Sequence, residues 1–468
     1  MKDLAKGCGM SMDNAFAAFI AVGILILVGK WIRRRLAFLR RLFLPSSIIA
    51  GLLALLLGPQ GIGRIPGVNG IWTEEILEVW SKLPGILISV VFAALFLGKS
   101  LPGIRKIWNK AGPMITHGQT MAWGQYVVGI ALAVFVLVPV WGTSPLAGAL
   151  IEIGFEGGHG TAAGLGSTFR ELGFADGADM ALGLATIGVI MGVLLGTVAI
   201  NWAVWKQYIA PPGRFPQKEE ELAEHETRER YEYDDLRDKA IEPLSFHWGL
   251  VGTSIGLGWL LLKGLIWIEN VLLTPLGWPE LFRHVPLFPL AMIGGVAIQS
   301  LGDRFGFARL IDRRLMNRLS GSSLDILIVA AMGALSLDAI GANTGPFLLL
   351  ATGGVLWNVF GFMVLARLMF PKDWVPNGLA NFGQGMGMTV IGLLLIRMID
   401  PQDRSGAMEA FGYKQLLFEP IVGGGLFTAM SLPLIYQFGP GPVLAGVTVL
   451  MGAWFAGGLW LARKRKSS

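Results

Sequence analysis

Runs of roughly 17–25 apolar residues, the length that crosses a bilayer as a helix, recur along nearly the whole chain. They are continuous rather than alternating, which excludes a transmembrane β-barrel. Charge agrees: 53% of the 468 residues are hydrophobic, only 15% are charged, and the mean hydropathy is +0.59. A soluble chain of this length needs far more charge at its surface. The sequence therefore predicts an all-α polytopic membrane protein.

The net charge of +6 does not point to nucleic acid, because Lys and Arg sit in short clusters beside the apolar runs. There they orient spans. The first run, 15–29, is followed by Lys30, Arg33, Arg34, Arg35, Arg40 and Arg41, which reads as a retained span with its N-terminus outside rather than a cleavable signal. The single Cys8 excludes an intrachain disulfide and argues against a thiolate metal site.

Spans are predicted at 14–32, 43–58, 83–98, 121–141, 180–205, 247–270, 285–302, 323–341, 345–370, 412–436 and 442–462. With the N-terminus outside, the loops 99–110 and 303–318 and the tail are cytoplasmic, and all are rich in Lys and Arg. Loop 59–82, on the outside, carries Glu74, Glu75 and Glu78. Residues 206–246 form a cytoplasmic linker whose polar, mixed-charge heart begins Pro211–Pro212.

The two halves resemble each other. Ile86, Leu87, Ile88, Ala94, Leu95 and Leu97 align with Ile326, Leu327, Ile328, Ala334, Leu335 and Leu337. Pro45, Ile49 and Gly51 align with Pro289, Ile293 and Gly295, and GHG at 158–160 with GQG at 383–385. The charge scheme runs each matched pair in opposite directions. The expectation is two inverted repeats of five spans, 1–205 and 247–438, plus an extra C-terminal helix and basic tail at 439–468. Each repeat carries a re-entrant hairpin, at 145–172 and 375–399.

Those hairpins hold the least helix-compatible stretches of the chain. FEGGHGTAAGLG, 155–166, has five glycines among its twelve residues. Interrupted backbone survives in a bilayer only where protein or a wet cavity shelters it. Two such breaks at matching places of inverted repeats are the usual sequence mark of a transporter's binding site. Freed N–H groups attract anions and freed carbonyls ligate hard cations, and glycine lets the backbone approach a ligand with positive φ. The candidate substrate-binding residues are Gly157, Gly158, His159, Gly160, Thr161, Gly383, Gln384, Gly385, Gly387, Thr389 and Arg397. The candidate cation-binding residues are Glu156, Thr161, Asn381, Gln384 and Thr389. His159 reads equally as a hydrogen bond holding the hairpin, and Glu156 as a cation ligand, a proton carrier or an entrance residue. Arg397 is either a carboxylate clamp or a topology charge beside Asp400 and Asp403. Glu419, Gln119, Thr120 and Gln125 are weaker candidates. No catalytic set and no GxxxxGK[ST] phosphate loop occurs.

GGHGT at 157–161 with LGLATIGVIMGVLLG at 182–196, FLPSSIIAGLL at 43–53 and NFGQGMGMT at 381–389 resemble the bacterial sodium/glutamate symporters. The resemblance implies Na⁺ as coupling ion, glutamate or a similar small anion as substrate, a homodimer in the bacterial cytoplasmic membrane, and an elevator-like movement. It departs from the family's pattern at Glu156, Gln384, Arg397 and Asp400. A permease for another solute, H⁺- or Na⁺-coupled, and a channel-like protein stand as the alternatives.

Overall fold

The computed structural model describes residues 12–36, 39, 45–99, 104–209, 243–400 and 402–466. The polar heart of the linker, Cys8, Arg40 and Arg41 lie outside them. Among the described residues every regular element is helical. In chain order these are α1 (Met12–Arg35), α2 (Ser46–Leu57), α3 (Glu74–Ala93), α4 (Ile104–Leu132), α5 (Leu150–Phe155), α6 (Gly158–Gly164), α7 (Gly166–Glu171) and α8 (Gly177–Trp205). After the linker come α9 (Pro243–Ile268), α10 (Leu287–Phe305), α11 (Arg313–Gly333), α12 (Leu337–Ala342), α13 (Thr344–Phe360), α14 (Trp374–Ile399), α15 (Ala407–Phe418), α16 (Leu426–Phe438) and α17 (Pro440–Lys466). Nine helices among the described residues are long and apolar enough to cross a membrane.

Four boundaries differ from the hydropathy reading. Helix α3 begins at Glu74 rather than 83, because Thr73 accepts from the Ile76 N–H and Glu74 and Glu75 suit the positive helix start. Helix α4 begins at Ile104 rather than near 121; its first turns carry the exposed Arg105, Asn109 and Lys110, and the buried polar Thr116, His117, Gln119 and Thr120 follow, so the stretch escapes a hydropathy scan. The span predicted at 323–341 stops at Gly333, and Ser336 caps a separate short helix through the Ala339 N–H. The span predicted at 412–436 is two helices, α15 and α16, parted by Glu419–Gly425.

The helices pack in two groups. One gathers α1, α2, α3, α9, α10 and α11. Its anchor is Trp80, fully buried, whose indole N–H donates to the Ala18 carbonyl at 3.0 Å. The other gathers α4, α8, α13, α14, α15 and α17. Here Gly188, Gly192 and Gly196 form a stripe at four-residue spacing along α8. A Cβ at Gly188 would lie 2.1 Å from the Met386 carbonyl oxygen, so only glycine lets α14 approach this closely. Helix α6 bridges the groups: Gly160 and Gly164 abut Ile88 of α3, and Gly160 also meets Leu324 of α11.

Candidate functional site

Three helix breaks converge. In the first, α5 runs into Glu156 and Gly157, and the chain turns at Gly158, whose φ is +72°. A Cβ on Gly158 would sit 2.3 Å from the Met388 sulfur, so both the turn and the neighbour demand glycine. In the second, α14 is interrupted at Gly387 (φ −161°, ψ 50°) and Met388 (φ 67°, ψ 171°). Its two arms lie against each other: a Cβ on Gly383 would come within 2.7 Å of the Gly392 Cα. In an unbroken helix residues nine apart are separated by about 13 Å. The left-handed residue here is Met388, contrary to the expectation that the glycines supply positive φ. Gly383 and Gly385 serve close packing instead, Gly383 against the returning arm and Gly385 against Asn358.

The third break, Gly423–Gly425 between α15 and α16, was not foreseen. Gly423 and Gly424 have φ of 80° and 101°. A Cβ on Gly424 would meet the Thr161 hydroxyl at 2.5 Å. The signal was present in the sequence as VGGG at 422–425, but the apolar residues around it masked it.

Buried polar side chains fill the meeting point. Gln384 Nε2 donates to Glu156 Oε1 at 3.0 Å, joining the first break to the second. Lys414 of α15 donates to Gln384 Oε1, and its Nζ lies 4.0 Å from Glu156 Oε1. Both charged side chains are 2% exposed, so each is the other's principal counter-charge. Four residues before Glu156, Glu152 accepts from the Tyr126 hydroxyl (2.5 Å), the Gly423 N–H (2.7 Å) and the Thr428 hydroxyl (2.8 Å). It pins the third break to α5. Gln415 donates to the Thr389 hydroxyl, tying α15 to the second arm of α14.

Asn381 faces the same point from α14. Its Nδ2 donates to His117 Nδ1 at 2.9 Å, and His117 Nε2–H donates to the Gly361 carbonyl at 3.2 Å. Since a carbonyl can only accept, this pattern makes His117 a neutral imidazole. It turns the Asn381 carbonyl oxygen toward Lys414: one Cβ position over Gly118 lies 2.7 Å from Lys414 Nζ and 2.8 Å from Asn381 Oδ1. Glu156 Oε2, Asn381 Oδ1, Gln125 Oε1 and Gln415 Oε1 are buried oxygens without a protein hydrogen-bond partner. Oxygens of this kind suit a hard cation, and the Lys414 ammonium suits an anion.

The remaining sequence candidates separate. His159 Nε2–H donates to the Thr186 hydroxyl at 3.0 Å, which itself donates to the Leu182 carbonyl, so His159 ties α6 to α8. Gln125 Nε2 donates to the Gly385 carbonyl at 2.7 Å, beside the second break. Gln119 accepts from Trp123, and Thr120 donates to the Thr116 carbonyl, both along α4 itself. Arg397 is exposed, nine residues and about 13 Å of helix beyond Met388. It stands away from the buried group, and Lys414, which the sequence reading missed, is the cation there. Asp400 closes the loop after α14. Burial acts to raise its carboxyl, but hydrogen bonds from the Ser405 hydroxyl and the Ser405 and Arg404 N–H groups outweigh this and hold it below the ordinary range.

A cavity of about 340 Å³ leads to this point from one face. Met114, Asn377 and Ala410 line it, and four residues further along each helix stand Gly118, Asn381 and Lys414. The cavity therefore ends one helical turn short of the buried group.

Known proteins resemble this chain in sequence. The chain is 23% identical over 442 residues to the sodium/glutamate symporters of Escherichia coli (strain K12) and Shigella flexneri, covering 92% of this chain and 99% of theirs. The sequence profile described as "Sodium/glutamate symporter" matches residues 11–394. The protein is thus a transporter rather than an enzyme, and it belongs to the sodium/glutamate symporter family.

Proposed function

We propose that this chain is a Na⁺-coupled symporter of glutamate or a similar small carboxylate in the bacterial cytoplasmic membrane. The observation that carries this reading is the meeting of two broken helices at one buried polar point, with Glu156 hydrogen-bonded to Gln384 at 3.0 Å and Lys414 beside both. An intramembrane ion pair is costly to bury and marks a solute or ion path. The carboxylate substrate sits by Lys414 and the tips at Gly157–Thr161 and Gly383–Thr389. Na⁺ takes oxygens from Glu156, Gln384, Asn381 and Thr389.

The two folded-back segments are re-entrant hairpins of inverted five-span repeats. In support, a π turn precedes each: Ala133–Leu137 before the first and Gly361–Leu365 before the second. The group of α1, α2, α3, α9, α10 and α11 is the scaffold of a homodimer, and the group holding the breaks moves against it as an elevator. The N-terminus is outside and the tail cytoplasmic, which opens the cavity to the cytoplasm. Uptake of labelled glutamate into proteoliposomes under an inward Na⁺ gradient tests the function. Accumulation that collapses when choline replaces Na⁺ is the expected result; equal uptake in choline rejects the coupling.

A further inference from the structure

Lys414 is the only fully buried lysine or arginine among the described residues. Its position is built. Gly118 leaves the space: a Cβ there would meet Lys414 Cε at 2.3 Å. Phe411, one turn earlier on α15, places its ring 5.6 Å from the ammonium. Of the three protons on Nζ, one is accepted by Gln384 Oε1, and the nearest carboxylate oxygen is Glu156 Oε1 at 4.0 Å. That distance is long for a direct hydrogen bond. Glu156 in turn keeps Oε2 unpartnered. The two charges neutralise one another without saturating either group. Glu152, one turn away on the same helix, shows what saturation looks like, with three donors on its two oxygens.

We propose that Lys414 is an internal stand-in for the coupling cation: its ammonium and Na⁺ compete for Glu156, and Na⁺ binding there frees Lys414 to hold the substrate's carboxylate. This deepens the symport reading and rests on it. Before loading, the charges that exchange partners are Glu156⁻ and Lys414⁺. After loading they are Glu156⁻ with Na⁺ and Lys414⁺ with the substrate carboxylate, so the net charge of the pocket is the same at both stages. Na⁺ alone displaces an ammonium that has no other anion to meet. The anion alone faces an ammonium already engaged. Either ligand is therefore disfavoured by itself, and each strengthens the other by the same factor. Gln384 is the pivot, because its amide N–H₂ holds Glu156 while its carbonyl holds Lys414.

The test measures Na⁺ affinity of the purified protein from Na⁺-dependent thermal shifts without glutamate, and glutamate affinity with and without Na⁺. Lys414→Met removes the competitor, so Na⁺ affinity without glutamate rises about tenfold or more, a gain that misfolding cannot produce. Lys414→Arg, which keeps the charge, gives a smaller gain. Glu156→Gln gives glutamate binding whose affinity no longer changes with Na⁺. Na⁺ affinity unchanged or weakened in Lys414→Met, or a wild-type Na⁺ dependence of glutamate binding in Glu156→Gln, overturns the exchange. The Na⁺ measurement uses no organic solute, so it decides the exchange even where glutamate is not the substrate. Wild-type protein that binds Na⁺ but no glutamate rejects the substrate assignment alone.

Discussion

Glu152 and Glu156 lie one turn apart on the same stretch of chain, and both are buried, at 0% and 4% exposure. Their surroundings give them different work. Glu152 has a hydroxyl, a backbone N–H and a second hydroxyl on its oxygens, drawn from α4, the third break and α16. Its charge is dispersed into fixed dipoles and it acts as a clasp. Glu156 has one amide donor, a distant ammonium and an unpartnered oxygen. A carboxylate that exchanges partners must be incompletely satisfied, whereas one that holds a fold must not be. Burial alone does not separate the two roles; donor count does.

The contrast can be broken most sharply by isosteric substitution. Glu152→Gln sets an amide N–H₂ against groups that are all donors, and a loss of about 3 kcal/mol of stability follows from the unmet buried bonds. Glu156→Gln, made together with Lys414→Met so that no buried ammonium is left unpaired, offends only one donor and costs about 1 kcal/mol. Denaturation of the two variants in the same detergent checks this, and equal losses would dissolve the distinction. Next in size, Gly118→Ala overfills the space beside Lys414 and costs about 2 kcal/mol. Combining it with Lys414→Ala relieves the clash, so the double variant loses less than the sum, as a double-mutant cycle would read. Strict additivity would mean that the two do not share that space. Tyr126→Phe removes one of the three donors on Glu152 and costs about 1 kcal/mol; a loss near zero would show that the clasp does not need it. Smallest of all, Arg397→Ala changes Na⁺-driven uptake by less than about twofold, as expected of an exposed residue. A large loss of uptake would return Arg397 to the site.

Much of this was legible in the chain because lipid imposes simple rules. Apolar runs and clustered Lys and Arg announce a helical membrane protein, and GGHGT and NFGQGMGMT announce helix breaks together with the family. Lys414 was invisible for a physical reason. In GYKQLLFEP it stands near the predicted end of a span, where a lysine ordinarily snorkels to the interface. Only the void over Gly118, in a helix three hundred residues away, lets it turn inward. Glu152 was hidden in the same way, since its partners come from α4, the third break and α16. The beginning of α4 escaped because hydropathy measures affinity for lipid, while Thr116, His117, Gln119 and Thr120 are buried in protein. Met388 broke the rule that glycine occupies the left-handed position; its side chain fills the hollow over Gly158, a tertiary contact that no local pattern encodes.

The cavity that stops at Met114, Asn377 and Ala410 sets how well the protein insulates. Between it and the buried charges lies one turn of each helix, about 5 Å. Two buried side chains of the cavity wall stand at that level. Met114 Sδ rests 3.2 Å from Asn381 Nδ2, and the Phe370 ring is centred 5.1 Å from that of His117. A thioether and a phenyl ring therefore stand between the open cavity and the buried charges, and an ion leaking from that side meets them first.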